Sequence, residues 1–462
     1  MTAQRSDALV FFGATGDLAY KQIFPALQAM VQHGKLDMPV IGVAKSGWNL
    51  QQLLDRAHAS LVEHGGVDEA AYQKLSKQLV YIDGDYQDDS TYQQIHKALG
   101  QAKSPLHYLA VPASLFGTVA TGLGKAGCAN NARVVIEKPF GRDLKSAQEL
   151  NTVLQKYFPE QSIYRIDHFL GKEPVQNLVY FRFANPLIEA VWNHRHISSV
   201  QITMAENFGI KGRGKMYEEL GAIRDVVQNH MLQVVAALAL ESPGKAGHEA
   251  WRDERAKLLK AVKPLSKADT VRGQYTGYRN EEGVAASSLV ETYAAVKLTI
   301  ENDRWQGVPF YVRAGKFMPV TSTEVLVRLK QNDHPVLNED EPSDFGYLRF
   351  RISPEVVLGM GVRVKKPGEQ MLGESMEMIV HDQPPDQMTP YERLLTDATN
   401  GDSMLFARED SVEESWRIVD PVLDDATELF YYNPGTWGPE EAEFAVKPEG
   451  GWHNPAEKEE AV

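Results

Sequence analysis

The chain has 462 residues, of which 43% are hydrophobic and 24% are charged, and 48 Lys and Arg against 62 Asp and Glu give a net charge of −14. This length predicts two domains rather than one hydrophobic core, and the average composition argues against extensive disorder. The acidic surplus excludes nucleic acid and anionic membranes from the expected partners, because no excess of cations is left to neutralise phosphates.

The compartment is predicted from three further features of the sequence. No apolar run approaches the roughly 18 residues that a membrane helix needs. The polar segment Met1–Asp7 leads into a strand-like run without the apolar core of a signal peptide. Cys128 is the single cysteine, so it has no partner for an intrachain disulfide, and we expect it to be a small buried side chain. We expect a cytoplasmic protein that does not enter a membrane.

Short apolar runs alternate with helical stretches from residue 8 to about residue 168. The runs are Leu9–Phe12, Val40–Val43, Leu79–Ile82, His107–Val111, Val134–Ile136 and Ile163–Ile166. Near-continuous apolar strands between helices are typical of a parallel sheet that is covered on both faces. We therefore predict an α/β domain over residues 1–170, a Rossmann-like doubly wound sheet that binds a dinucleotide beyond the carboxyl ends of its strands.

A glycine-containing turn follows the first predicted strand and precedes a predicted helix. Its residues are Gly13, Ala14, Thr15, Gly16, Asp17 and Leu18. Glycines at such a turn let backbone N–H groups and the helix N-terminus approach a pyrophosphate. The spacing G-x-x-G-x-x-A is a weak signal by itself, but its place after the first strand of a βαβ unit favours a cofactor-binding role.

The end of the second predicted strand indicates which dinucleotide is bound. An acid there would bind the ribose 2′-hydroxyl of NAD, whereas a cation would accommodate the 2′-phosphate of NADP. The sequence has Lys45 in this place and no acid. We expect NADP as the cofactor, with NAD as a weaker alternative, since lysine lacks the planar fork of arginine. An exposed loop lysine without a ligand stays an alternative.

The second half of the chain changes its pattern. Runs with a period of two residues predict strands at Val200–Met204, Tyr293–Leu298, Val325–Leu329 and Tyr347–Ile352. Helices are predicted between Met216 and Leu240 and from Pro390 to Thr399. Residues 171–462 are therefore predicted to form a larger α+β domain with a mainly antiparallel sheet, which binds the substrate and dimerises.

Charged residues follow the sixth predicted strand, in the segment Arg165–Glu173. His168 and Lys172 are four residues apart and are well placed to bind a phosphate dianion, while Asp167 is an acid that could orient another imidazole. Each of them taken singly is typical of a surface charge or a helix cap. No metal site is predicted.

The chain resembles the glucose-6-phosphate dehydrogenase family from Phe12 to about Glu443. The resemblance is carried by five blocks in the order of the family, Phe12–Ala19, Glu137–Leu144, Arg165–Glu173, Gly212–His230 and Gly307–Lys316. It implies oxidation of D-glucose 6-phosphate at C1 to 6-phospho-D-glucono-1,5-lactone, with hydride transfer to NADP⁺, as the first step of the oxidative pentose phosphate pathway.

The resemblance also implies residue roles. His230 would be the general base and Asp167 would orient it, and a neutral histidine suits proton abstraction near pH 7. The substrate residues implied are Lys138, His168, Lys172, Glu206, Asp225 and Lys316. Lys138 would also contact the cofactor, and its peptide bond to Pro139 is a candidate for the cis form. A homodimer, or a dimer of dimers, formed through the sheet of the second domain is implied as well.

Two departures from the family pattern keep alternatives open. Phe169 stands where the family signature has tyrosine, and Thr321 stands where family members commonly have a second cation. A dehydrogenase of another hexose or of an amino-sugar phosphate is therefore an alternative. A non-catalytic dinucleotide-binding regulator is a second one, against which the joint presence of His230, Asp167 and Lys172 argues.

Overall fold

The computed structural model describes residues 4–244, 247–331, 346–368, 372–382, 388–446 and 450–457, which form two compact units. The first unit takes its residues from Met1–Glu173, Pro243–Ala256 and Gln387–Glu413. The second takes them from Pro174–Ser242, Lys257–Asp386 and Glu414–Val462. The predicted boundary lies after residue 170, whereas the first unit also includes two later segments.

The first unit contains a parallel sheet of six strands. The strands are β1 (Ala8–Phe12), β2 (Val40–Ala44), β3 (Leu79–Asp83), β4 (Pro105–Leu109), β5 (Arg133–Glu137) and β6 (Ile163–Ile166). Their order is β3-β2-β1-β4-β5-β6. Strands β2 and β3 lie on one side of β1, and strands β4 to β6 lie on the other side, so the strand order reverses between β1 and β4. The predicted Rossmann-like sheet is confirmed, and ligands of such sheets bind at this reversal, beyond the carboxyl ends of the strands.

Helices cover the sheet of the first unit. They are Ala19–Ile23, which is π-helical, Phe24–Gln32, Leu50–Glu63, Glu69–Gln78, Asp89–Leu99, Ala113–Leu115, Phe116–Lys125, Leu144–Gln155, Glu160–Ser162 and Pro390–Asn400. A core of buried side chains, which includes Phe11, Phe24 and Tyr108, joins β1 and β4 to the helices Ala19–Ile23, Phe24–Gln32, Leu50–Glu63, Glu69–Gln78 and Pro390–Asn400. Leu394 and Phe406 belong to the same core, which explains why a segment late in the chain is part of this unit.

The second unit contains a sheet of nine strands. They are β7 (Ile197–Ala205), β8 (Thr270–Tyr275), β9 (Tyr293–Thr299), β10 (Pro309–Gly315), β11 (Ser322–Leu329), β12 (Tyr347–Ser353), β13 (Val356–Lys365), β14 (Gly373–Asp382) and β15 (Leu429–Tyr432). The order is β14-β13-β12-β11-β7-β10-β9-β8-β15. Strand β10 pairs with β7 in parallel, as β15 does with β8, and the other described pairs are antiparallel. The predicted mainly antiparallel sheet is confirmed.

The remaining helices lie wholly or partly in the second unit. They are Glu173–Ala184, Pro186–Val191, Gly214–Tyr217, the π-helical Ile223–Met231, Leu232–Ala239, His248–Ala261, Lys267–Asp269, Tyr278–Asn280, Glu409–Val419, Asp420–Val422 and Glu441–Val446. A second core, rich in aromatic side chains such as Tyr217, Tyr278 and Tyr293, packs on β9 and β10. Among the described residues, no helix combines the length and the apolar character that crossing a membrane would require.

Candidate active site

The predicted dinucleotide loop lies at the carboxyl end of β1, where the sheet order reverses. Gly13 has φ +77°, and a Cβ atom built on it would lie 2.1 Å from the carbonyl oxygen of Ala110. No residue with a side chain fits there without moving the backbone. The N–H of Gly13 donates to the carbonyl oxygen of Val43 at 2.9 Å, and that of Gly16 donates to Gly13 at 2.9 Å. The loop is therefore a tight turn that is hydrogen-bonded to β2 and packed against Ala110, the residue after β4.

The other residues of the loop are placed as a dinucleotide site requires. Ala14 is buried, Thr15 is partly exposed and Asp17 is exposed, and helical winding begins at Asp17 and continues through Leu18. The hydroxyl of Thr15 lies 2.7 Å from that of Ser46, at the end of β2. This loop fits a nicotinamide dinucleotide, whose phosphates it would hold. It lies at the switch point of the sheet, contains a glycine that no larger residue can replace, and is followed by a helix.

Lys45 follows β2, as predicted, but it already has an anionic partner. Its Nζ atom lies 2.6 Å from Oδ2 of Asp85, in the loop after β3. Both side chains are exposed, at 70% and 39%. This pair could not be predicted from the sequence, because the two residues are 40 positions apart.

Lys138 and Asp167 lie at one edge of the first unit, because β5 and β6 are parallel neighbours and Glu137 pairs with Ile166. The residue after each strand therefore emerges at the same end of the sheet. Asp167 is 2% exposed, and its Oδ1 accepts a hydrogen bond from the N–H of Phe169 at 3.0 Å. Lys138 is partly exposed, and its peptide bond to Pro139 is cis, which confirms that hypothesis.

Glu137 lies directly behind Lys138 and was missed by sequence reasoning. Its side chain is buried, and Oε1 accepts a hydrogen bond from the hydroxyl of Tyr108 at 2.7 Å. The hydroxyl of Tyr391 lies 3.5 Å from Oε2. Burial raises the pKa of Glu137 to about 7, against the lowering effect of Tyr108 and Lys138. A carboxyl group that changes charge near neutral pH therefore adjoins a predicted substrate residue.

The turn after β6 collects the predicted phosphate ligands of the first unit. His168 and Lys172 both lie on it and are partly exposed. The turn is closed by backbone hydrogen bonds from Leu170 to Asp167, from Gly171 to His168 and from Lys172 to Phe169. One short turn thus carries an imidazole and an ammonium group, two donors that suit a phosphate dianion.

Phe169 supports this turn although it lacks the hydroxyl of the family signature. Its ring is 1% exposed, and Nζ of Lys172 lies 3.9 Å from the ring centroid. The ring face attracts the ammonium group and fixes the direction of a long side chain. Burial lowers the pKa of Lys172, while the charge of Asp167 acts in the opposite direction. Phenylalanine at this position therefore keeps the aromatic ring that Lys172 contacts, although it lacks the tyrosine hydroxyl.

Arg165, the first residue of the segment, has a structural role instead. It is fully buried, and its guanidinium donates to both carboxylate oxygens of Glu160, at 2.6 and 3.0 Å. A third hydrogen bond goes to the side-chain oxygen of Asn151 at 2.8 Å. Arg165 therefore anchors β6, and the candidate site residues Asp167, His168 and Lys172 follow that strand.

His230 and Asp225 lie together on the π-helical segment of the second unit. In an α-helix, residues five positions apart point in directions about 140° apart. In a π-helix the backbone hydrogen bond runs from i to i+5, so two such residues lie one turn apart on the same side. The side-chain amide of Asn229 donates to the carbonyl oxygen of Arg224 at 3.0 Å and supports this winding. His230 is 2% exposed, and Asp225 is partly exposed.

Glu291 fixes the beginning of that segment. Its Oε1 accepts a hydrogen bond from the N–H of Ile223 at 3.0 Å, and the facing Gly221 has φ +64° and no room for a Cβ atom. The buried Arg272 forms an ion pair with this carboxylate, and its Nη2 atom lies 3.3 Å from Oε2 of Glu291. Burial raises the pKa of Glu291, and Arg272 opposes this. A negative charge at the N-terminus stabilises a helix, so Glu291 positions the residues that follow.

Glu206 and Lys316 are brought into contact in the second unit. They follow β7 and β10, which are parallel neighbours, and Gly315 pairs with Ala205. The ammonium group of Lys316 contacts the carboxylate of Glu206. The hydroxyl of Tyr432 donates to the carbonyl oxygen of Lys316 at 2.7 Å and holds the turn. Two of the predicted sugar residues are therefore adjacent.

Tyr217 links this pair to Asp225. Its hydroxyl is buried, and its pKa is raised well above the usual value, first by burial and then by the charges of Asp225, Glu291 and Glu206. Nζ of Lys316 lies 5.7 Å from the centre of the Tyr217 ring. Asp225, Glu206 and Lys316 therefore share one neighbourhood in the second unit, which the sequence could not show.

Comparisons with known proteins agree along nearly the whole chain. A family model described as "Glucose-6-phosphate dehydrogenase, NAD binding domain" matches residues 10–177, and one described as "Glucose-6-phosphate dehydrogenase, C-terminal domain" matches residues 179–453. Glucose-6-phosphate 1-dehydrogenase 1 of Mycobacterium tuberculosis is 41% identical over 456 residues, which are 97% of each chain.

Two solved structures are similar to this fold. The crystal structure of glucose-6-phosphate 1-dehydrogenase from Mycobacterium avium has a TM-score of 0.91 and 42% identity, and the match covers 98% of this chain and 99% of that one. A glucose-6-phosphate dehydrogenase in complex with its substrate glucose 6-phosphate has a TM-score of 0.89 and 31% identity, with 98% and 100% covered.

Proposed function

The chain belongs to the glucose-6-phosphate dehydrogenase family, and from this membership we propose which of its residues perform the reaction. The protein is an oxidoreductase that oxidises glucose 6-phosphate at C1, the first step of the oxidative pentose phosphate pathway. The observation that carries the residue assignment is the turn after β6, where Asp167, His168 and Lys172 follow one another beside a parallel sheet that fits a dinucleotide.

His230 is proposed as the general base that takes the proton from the C1 hydroxyl, and Asp167 as the residue that fixes its tautomer. A base that is oriented by a carboxylate stabilises the imidazolium that forms. Support comes from each unit separately. His230 is buried on a helix whose start is fixed by Glu291, and Asp167 is buried at the carboxyl end of the sheet. Both side chains are thus held by their own surroundings.

The phosphate group is assigned to His168 and Lys172, and the sugar hydroxyls to Lys138, Glu206, Asp225 and Lys316. Lys172 is directed by the ring of Phe169, and Glu206 by Lys316. Charged donors on a dianion and carboxylates on hydroxyl groups are the chemically matched partners. These contacts position C1, so that the proton and the hydride can leave from one fixed carbon.

NADP⁺ is proposed as the cofactor, held by the loop from Gly13 to Leu18, by Lys138 and, at its 2′-phosphate, by Lys45. When bound, it accepts the hydride from C1. The support is the glycine turn at the switch point of the sheet and the cation after β2. NAD⁺ stays a weaker alternative, because Lys45 is a single point charge.

A homodimer or a dimer of dimers, formed through the nine-stranded sheet, is also proposed. The support is the outer strand β14, on which Met376, Met378 and Val380 are each more than half exposed on one face. Among the described residues β14 pairs only with β13, and apolar side chains that alternate along such an edge strand are expected to be covered by a partner. A cytoplasmic location stays a proposal.

The activity is tested by initial rates of NADPH formation with glucose 6-phosphate, glucose and glucosamine 6-phosphate. We expect the highest kcat/KM with glucose 6-phosphate, because glucose lacks the phosphate group that is assigned to His168 and Lys172, and the amino sugar lacks one of the hydroxyl groups that are assigned to the sugar-binding residues. An equal or higher kcat/KM with glucose or with glucosamine 6-phosphate would contradict the proposal and would favour a dehydrogenase of another sugar.

A further inference from the structure

The cation proposed for the 2′-phosphate is engaged by a carboxylate of the same chain. Nζ of Lys45 lies 2.6 Å from Oδ2 of Asp85, and the contact is solvent-exposed. The hydrogen bond to Asp85 raises the pKa of Lys45, and the same contact lowers the pKa of Asp85, so both groups are charged at neutral pH. A 2′-phosphate that binds Lys45 must compete with this carboxylate.

Asp85 is held in position for this contact by its own loop. Its second carboxylate oxygen, Oδ1, accepts a hydrogen bond from the N–H of Gln87 at 2.9 Å. Its carbonyl oxygen accepts from the hydroxyl of Thr91 at 2.7 Å and from the N–H of Asp88 at 3.1 Å. The carboxylate therefore faces Lys45 at little cost in conformational freedom, unlike a mobile surface acid.

A second acid occupies the backbone donors of the same turn. Oδ1 of Asp83 accepts hydrogen bonds from the N–H groups of Ser46 and Gly47, at 2.9 and 2.8 Å. The backbone hydrogen bond of Ser46 is the first cause of the lowered pKa of Asp83, which marks it as an anion that the turn already binds. Successive N–H groups of a turn are a common anion site. Both kinds of donor after β2 therefore have a carboxylate partner.

We propose that Asp85 is a specificity-determining residue, whose carboxylate competes with the 2′-phosphate of NADP⁺ for Lys45 and thereby narrows the preference for NADP⁺ over NAD⁺. This inference rests on the proposed function of Lys45. NAD⁺ has a hydroxyl in place of the 2′-phosphate, so its binding does not depend on Lys45 and does not compete with Asp85. The preference of the enzyme is then set by a pair of residues, and the charge of Lys45 is only one part of it.

The test is Asp85→Asn in the full-length protein. Asparagine keeps an oxygen for the N–H of Gln87 and removes the charge that faces Lys45. Calorimetry should measure the binding of adenosine 2′,5′-bisphosphate, which carries the 2′-phosphate, and of 5′-AMP, which lacks it. We expect the bisphosphate to bind about twofold to fivefold more tightly, the range for an exposed ion pair, and 5′-AMP to bind as before.

Two further variants make the result specific. Asp89→Asn removes an exposed acid from the first turn of the following helix and should change neither affinity. Lys45→Ala should weaken binding of the bisphosphate and should abolish the effect of Asp85→Asn when the two are combined. An unchanged bisphosphate affinity in Asp85→Asn, an equal gain for 5′-AMP, or a gain that persists without Lys45 would overturn the proposal.

Turnover gives an independent readout. The KM for NADP⁺ should fall in Asp85→Asn, while the KM for NAD⁺ stays unchanged. Failure of the proposed function would look different, because the wild-type protein would then reduce neither nucleotide with glucose 6-phosphate. The binding experiment contains no sugar, so it measures the competition for Lys45 whether or not the wild-type protein oxidises glucose 6-phosphate.

Discussion

Replacing His230 by asparagine should lower kcat for the oxidation of glucose 6-phosphate by roughly 10²–10⁴-fold, the range for the loss of a general base. Asparagine preserves the size and part of the hydrogen bonding of histidine, but it cannot take up the proton of the C1 hydroxyl. The KM for the sugar should change far less, since phosphate binding is assigned to other residues. Initial rates of NADPH formation at saturating NADP⁺ measure both constants.

His196→Asn is the matched control for this variant. His196 lies in the same unit and is exposed, and its Nδ1 atom lies 3.2 Å from the side-chain oxygen of Asn193. Its replacement should leave kcat unchanged. A His230→Asn protein that is folded and turns over at nearly the wild-type rate would show that another group removes the proton.

Replacing Lys172 by alanine should raise the KM for glucose 6-phosphate by roughly tenfold to a hundredfold. A hydrogen bond to a charged group contributes about 1.5–3 kcal/mol, and Lys172 is assigned to the phosphate. Because that contact is the same in the ground state and the transition state, kcat should change little. Steady-state rates over a wide range of sugar concentration test the prediction.

Lys156→Ala is the control for this variant, because it also removes a lysine that lies near an aromatic ring, but one outside the predicted phosphate site. Nζ of Lys156 lies 5.4 Å from the centroid of Tyr157, in the same unit and outside the predicted site. Its removal should leave the KM unchanged. An unchanged KM in Lys172→Ala would remove Lys172 from the phosphate site.

The pH dependence of this contact has a definite sign. Burial lowers the pKa of Lys172, so a rise in pH removes its charge before that of an ordinary lysine. The kcat/KM for glucose 6-phosphate, which reports groups of the free enzyme, should therefore fall in the alkaline range below the usual lysine pKa. Lys172→Arg should move this fall to higher pH, because arginine stays protonated. An identical alkaline limb in Lys172→Arg would assign it to another group.

The fold of the first unit could be predicted in detail, because buried parallel strands leave a strong signal in the sequence. Each of the six predicted runs overlaps an observed strand, and Ile163–Ile166 coincides with β6. The glycine turn was predictable for a related reason, since a positive φ and the close approach of Ala110 admit only glycine at position 13. Signals of this kind are local, and a single sequence contains them.

Pairings between distant residues could not be predicted. Asp85 is 40 positions from Lys45, and Glu291 is far from the helix start that it fixes, so no spacing rule connects them. The π-helical winding around His230 was hidden for another reason, since its residues also suit an α-helix. The role of Phe169 depends on the ammonium group above its ring. In each case the contact is created by folding.

The central claim is that this chain transfers hydride from C1 of glucose 6-phosphate to NADP⁺. The most direct test is turnover of glucose 6-phosphate that carries deuterium at C1, with mass spectrometry of the reduced nucleotide. We predict one deuterium in each NADPH formed and 6-phosphogluconolactone, or its hydrolysis product, as the sugar product. Unlabelled NADPH, or no NADPH above the rate of a sugar-free control, would contradict the claim.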